Sequence, residues 1–189
     1  MDNLTPFAAA SQKYRPNSVR ILFVAEAPPA CESKRFFYFT DVWLQDTLLL
    51  EMMKVLYPIE VGFSGNRFRN GFTSEAIRLR KSELLNQFKA DGYYLIDACT
   101  EPMPRSANAA LKTSLMRKAL PELKFKAERL CTSKTIGVLL IGAVTYAVCF
   151  DALRAFGIHV LNAEPINHPA RGGQSLFRTK LLRTLNALR

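Results

Sequence analysis

Residues 19–29 read Val-Arg-Ile-Leu-Phe-Val-Ala-Glu-Ala-Pro-Pro, and this stretch decides the fold. A run that is apolar and β-branched apart from Arg20 gives way abruptly to a carboxylate and the Pro28-Pro29 stop. An apolar run this short, without alternation, reads as a strand buried on both faces, and such strands belong to parallel sheets covered by helices. Residues 93–98 (YYLIDA), ending before the Pro-rich turn 101–104, and residues 135–141 (TIGVLLI) have the same character. Residues 158–161 read as a short fourth strand.

Helical periodicity fills the intervals. Residues 41–57 place Leu44, Leu48, Met52, Val55 and Leu56 on one face and stop at Pro58, and residues 74–90 align Ile77, Leu84, Leu85 and Phe88 before Gly92. Residues 108–130 are expected as two helices, because Pro121 suits the first turn of a new one. Residues 143–156 follow, and 174–188 turn Phe177, Leu181, Leu185 and Leu188 inward with Arg178, Lys180, Arg183 and Arg189 outward. Strands alternating with helices predict an α/β domain, a three-layer α/β/α sandwich around a mostly parallel four-stranded sheet. Residues 1–18 read as a loosely packed N-terminal arm, 19–189 as one domain, and 62–72 (GFSGNRFRNGF) as a loop. A chain of 189 residues builds one substantial core and not two.

Hydrophobic residues make up 49% and charged residues 22%, which excludes a disordered chain, but the net charge is +10. Such a surplus either keeps the surface solvated or attracts a polyanion and releases its counterions. Cys31, Cys99, Cys131 and Cys149 form no close pair, so no metal, iron–sulfur cluster or other cofactor is expected. The most apolar stretch, 136–150, falls short of the roughly 20 residues a membrane span needs. The first residues lack the basic-then-apolar order of a signal peptide. The expectation is a monomer in the cytoplasm, away from membranes.

Parallel sheets bind ligands outside the carboxyl ends of their strands, so the strand-ending segments carry the candidates. Glu26 follows the first strand, where low dielectric raises a carboxyl pKa and suits it to act as a base; the alternative is a pairing with arginine or a helix cap. No GxGxxG or GxxxxGK[ST] follows that strand, which excludes the dinucleotide and P-loop readings. Residues 167–173 read Asn-His-Pro-Ala-Arg-Gly-Gly. His168 before proline is held extended, Gly172 and Gly173 permit close backbone approach, and Arg171 with the following helix amides suits a phosphate. His159, inside a strand, is read as structural. Asp97 stands at a strand end as either a ligand contact or a turn cap. Arg67 and Arg69 interleave with Phe63, Phe68 and Phe72, a pattern that suits phosphate contact with base stacking or, equally, an anchored surface loop. The run Arg78-Leu79-Arg80-Lys81 reads as a solvated helix face.

Taken in order, these segments resemble the uracil-DNA glycosylase superfamily. Glu26-Ala27-Pro28 resembles the first motif of its thermophilic-type branches, Gly-Glu-Ala-Pro-Gly, with Ala25 and Pro29 in place of the glycines. Asn167-His168-Pro169 resembles the late His-Pro motif, and residues 93–102 and 135–144 match the strands between. The resemblance implies a DNA-repair enzyme that flips a nucleotide out of DNA and hydrolyses its N-glycosidic bond. It assigns His168 to stabilise the departing base anion and Glu26 to orient or activate water. It assigns Phe37, Phe39 or Phe63 to stack on the base, Asp97 to read the base edge, and Arg67, Arg69, Arg105, Arg171, Gly172 and Gly173 to hold single- or double-stranded DNA. Relatives commonly carry Asn at the Asp97 position; an ionised carboxylate only accepts hydrogen bonds, so Asp97 matches uracil O4 only when protonated. The base expected is uracil or another deaminated base. A non-catalytic nucleic-acid binder of the same fold, and a hydrolase of free nucleosides or nucleotides, are the rival readings.

Overall fold

The structure is a computed structural model that describes residues 5–29, 35–41, 46–104, 106–170 and 172–188. The three longest apolar runs form strands at their centres: β1 (Ile21–Ala25), β4 (Tyr93–Asp97) and β5 (Gly137–Leu140). They make one parallel sheet in the order β4-β1-β5, with Ile21 opposite both Tyr93 and Gly137. β1 is central and buried along its whole length, which is why its sequence does not alternate.

Helices α2 (Thr47–Leu56), α3 (Ser74–Leu79) and α4 (Lys81–Ala90) connect β1 to β4, and α5 (Ala109–Leu130) connects β4 to β5. The two crossovers run in opposite directions across the sheet, so right-handed connections place their helices on opposite faces. The helix pairs agree: α5 packs on α6 (Ala143–Ala155), while α2 packs on α3 and on α7 (Gln174–Asn186). Phe23 of β1 meets Phe88 of α4 at 5.8 Å between ring centroids, tying the α2–α4 layer to the sheet.

The fourth strand differs from its expectation. Residues 158–161 contribute only a bridge at Val160 to Val138, and Ile166 adds another to Ile141. Between the two bridges a side chain replaces the backbone: Leu140 N–H donates to Asn162 Oδ1 at 2.9 Å, and Asn162 Nδ2 donates to the Leu140 carbonyl at 3.2 Å and the Glu164 carbonyl at 2.9 Å. The other sheet edge is closed in the same way. Leu95 N–H donates to the Tyr38 hydroxyl at 2.7 Å, and that hydroxyl donates to the Leu95 carbonyl at 3.0 Å. A three-stranded sheet has two open edges, and a single side chain plugs each, at the middle residue of β4 and at the last residue of β5. Replacing Asn162, itself buried, with Leu strands a buried N–H and carbonyl, and is expected to lower unfolding free energy by about 2–4 kcal/mol in urea titration. A loss under about 0.5 kcal/mol, the scale of an ordinary surface substitution, contradicts this account of the edge.

Four other expectations are corrected. The loose arm contains α1 (Pro6–Lys13), capped by Thr5, with Phe7 and Tyr14 buried; Phe7 stacks on Phe39 and Tyr14 on Tyr38. The 62–72 loop contains a hairpin, β2 (Phe63–Ser64) and β3 (Arg67–Phe68), turned by Gly65 and Asn66, both at positive φ. That pair of left-handed residues is what a two-residue hairpin turn demands. The helix expected over 74–90 breaks at Arg80 into α3 and α4. α5 runs unbroken through Pro121, because Met116, Leu123 and Ala127 continue one buried stripe across it.

Candidate functional site

The crossovers turn in opposite directions at the carboxyl end of β1, where an open α/β sheet leaves its ligand crevice. Glu26 is the first residue beyond that end. Its backbone carbonyl accepts from Cys99 N–H at 3.0 Å, so the segments after β1 and β4 are pinned together. Its carboxylate Oε1 lies 2.6 Å from Lys112 Nζ, with both side chains partly exposed. Lys112 sits one turn into α5, behind the Asn108 cap whose side chain accepts from Leu111 N–H at 2.9 Å.

His168 joins this pair from the far end of the chain. The surrounding protein desolvates its imidazole and lowers its pKa; Glu26 opposes that effect, and Lys112 adds to it. The residue reaches solvent, yet its ring is kept in the neutral form at neutral pH. Behind it, Gly172 takes a φ of +85°, and a Cβ on Gly173 would press to 3.3 Å from the carbonyls of His168 and Ala170. This tight turn delivers the chain into α7, whose N-cap Gly173 has no side chain to satisfy the first amides. Glu26, Lys112 and His168 thus combine a carboxylate, an ammonium and a neutral imidazole at one mouth of the sheet.

Asp97 is placed differently. It ends β4 and lines a cavity of about 500 Å³ between α1, β4 and α5, whose wall includes neither Glu26 nor His168. Burial pushes its pKa up to about 7, with Lys126 opposing, and among the described residues no hydrogen bond or ion pair satisfies it. Cys99, buried two residues further on, feels the carboxyl groups of both clusters: its thiol pKa is raised first by burial and then by Glu26, Asp97 and Glu122.

The expected stacking residues are largely taken up by packing. Phe37 is buried in the core against Phe88 and Tyr38, which leaves it no face for a base. Phe39 is half-buried and stacked on Phe7 and Phe36. Phe63 has Lys54 and Arg178 over its ring at 5.1 and 5.0 Å. Arg69 donates to the Ile59 carbonyl at 2.9 Å and packs over Phe72, so it holds the hairpin, whereas Arg67 is exposed on β3. Arg105 and Arg171 lie outside the described residues, as does Cys31. His159 Nδ1 lies 3.0 Å from the Ile136 carbonyl, the structural role expected of it.

The run 78–81 is a solvated face only in part: Leu79 and Arg80 are open to solvent, whereas Arg78 and Lys81 turn inward. Lys81 and Asp46 are buried, Arg78 Nε donates to Asp46 Oδ1 at 2.9 Å, and Lys81 Nζ lies 3.8 Å from Asp46 Oδ2. Lys112 is the site residue that sequence reasoning missed. Its signal was available, because a helix leaving a parallel strand begins at the carboxyl end of the sheet and its first turn faces the crevice. Among the described residues, no group of three or more His, Cys, Asp or Glu stands where it could hold a metal ion, and no helix is long and apolar enough to cross a membrane. No protein-family model, curated protein or solved structure matches the chain.

Proposed function

We propose that this chain is a DNA glycosylase of the uracil-DNA glycosylase type, hydrolysing the N-glycosidic bond of uracil or another deaminated base flipped out of DNA. The observation that carries this reading is that Glu26, just beyond the carboxyl end of the central strand, and His168, from the far end of the sequence, are close enough for the carboxylate to act electrostatically on the imidazole. In this reading the base leaves as an anion, and the neutral His168 imidazole donates a hydrogen bond to it. Glu26 orients the water that attacks the sugar, while Lys112 and the first amides of α7 take the flanking phosphates. The +10 charge supplies the long-range attraction to DNA. The segment that bridges β5 at Val160 and Ile166 stands for the fourth strand of the superfamily fold. The protein acts as a monomer in the cytoplasm.

One observation favours a second reading. Lys112 Nζ already occupies Glu26 Oε1 at 2.6 Å, and the rings of Phe37 and Phe63 are engaged elsewhere, as in a member that kept DNA binding and lost excision. The two readings separate in one experiment. DNA binding is measured against salt, and strand scission after alkali is measured on the same oligonucleotides carrying uracil, hypoxanthine or xanthine. A glycosylase gives scission at one of these bases; the non-catalytic binder gives a steep loss of affinity with salt and no scission.

A further inference from the structure

The α1–β4–α5 cavity is separate from the Glu26–His168 cluster, and its chemistry is of a different kind. Its volume of about 500 Å³ lies within the roughly 300–1,000 Å³ of small-molecule sites. The walls are aromatic and aliphatic: Phe7 from α1, Phe36, Leu95 from β4, and Phe125 and Leu130 from α5. Phe125 is 58% exposed, a large apolar side chain that the core leaves uncovered at this wall.

Polar groups stand at the two ends of β4. At its carboxyl end is Asp97, with a carboxyl group that no described hydrogen bond or ion pair satisfies. At its other end is Tyr94, which feels the charge of Arg15, and Arg129 lines the same cavity one helical turn beyond Lys126. Lys126 is spoken for by Glu122 at 2.8 Å, but among the described residues neither Arg15 nor Arg129 has a carboxylate partner. Tyr94 and Asp97 are three residues apart on β4 and strands rise about 3.3 Å per residue, so these two backbone positions stand roughly 10 Å apart. An acyl chain laid along this floor would bury Asp97 against hydrocarbon with nothing to bond, which costs more than the packing returns. A flat ring with an N–H or amino donor satisfies Asp97 and packs on the aromatic walls, and an anionic group at its far end meets the arginines.

From this we infer that the cavity beside Asp97 is a second binding site, for a free heteroaromatic anion of mononucleotide size, with its ring donor on Asp97 and its anionic group on Arg15 and Arg129. Isothermal titration of the full chain with adenosine 5′-monophosphate is expected to give saturable one-to-one binding. Adenosine, which lacks the phosphate, and octanoate, which lacks the ring donor, should each bind at least about tenfold more weakly. Arg129→Gln and Arg15→Gln should each weaken the nucleotide severalfold while leaving the melting temperature of the free protein unchanged. His168→Ala should bind it like the wild type, which keeps this site distinct from the excision site. The inference is overturned by absent binding, by adenosine or octanoate binding as tightly, by indifference to both arginine substitutions, or by loss of binding in His168→Ala. Failure to excise any base leaves it standing, since that result bears on the Glu26–His168 cluster alone.

Discussion

Replacing His168 with Ala is expected to lower base release by about 10²- to 10³-fold in single-turnover assays, the usual cost of removing one donor to a developing anion. In the proposed reaction the loss should appear in the chemical step, with DNA affinity little changed, because there the imidazole would meet the base anion only as the bond breaks. The pH profile identifies the form that works. Burial lowers the His168 pKa, with Glu26 opposing and Lys112 adding to the shift, so the ring is already neutral at neutral pH. A mechanism using neutral imidazole therefore gives a rate that is flat above pH 7. A mechanism needing imidazolium loses about tenfold per pH unit over the same range. A flat wild-type profile together with an unchanged rate in His168→Ala removes the histidine from the mechanism altogether.

The second large effect concerns stability. Asp46→Ala is expected to cost about 3–5 kcal/mol, because it leaves a buried cation, Lys81, and a partly buried one, Arg78, without the carboxylate that neutralises them. Lys81→Met is expected to be nearly neutral, since Asp46 keeps Arg78 and an apolar chain of similar length fills the space. The wild type adds a pH signature. Burial pulls the Lys81 pKa down to about 8, with Asp46 opposing, against about 10.4 in the unfolded chain. Between those values the unfolded state binds the proton more tightly, so stability rises as pH climbs from about 8 towards 10. Lys81→Met should lose that rise. Urea denaturation at pH 7 and pH 9.5 on the three proteins checks all of this, and an Asp46→Ala loss below about 1 kcal/mol contradicts it.

Much of the sheet was legible because burial on both faces leaves little freedom in composition: residues 21–25 and 137–140 are buried throughout and apolar, and the edge strand 93–97 is apolar at its buried centre. The fourth strand misled for a physical reason. Asn162 satisfies Leu140 by a side chain, so the backbone need not remain extended, and no apolar pattern records a side-chain amide acting as a strand. The 78–81 run misled in the same way, since a charged residue reads as exposed until its buried partner, here Asp46, is seen. The turn at Gly65-Asn66 carried its own signal, two residues suited to positive φ between Phe63 and Phe68.

At the candidate site the strand-end rule singled out Glu26, which directly follows β1, whereas His168 follows only the isolated bridge at Ile166 and not a strand. It did not resolve which strand-end side chains share a pocket. Asp97 ends β4 and Glu26 follows the neighbouring β1, but Asp97 lines a cavity whose wall does not include Glu26. Nor did it reveal the contribution of α1, whose Phe7 lines that cavity only because the arm folds back on the sheet.

The most direct test of the proposed activity is a base-release screen of the wild-type protein on single- and double-stranded oligonucleotides carrying uracil, hypoxanthine or xanthine, at neutral pH and physiological salt. The account predicts release of at least one of these bases, leaving an alkali-labile site at its position. Intact strands for every base in both contexts, under conditions where the protein binds the DNA, contradict it.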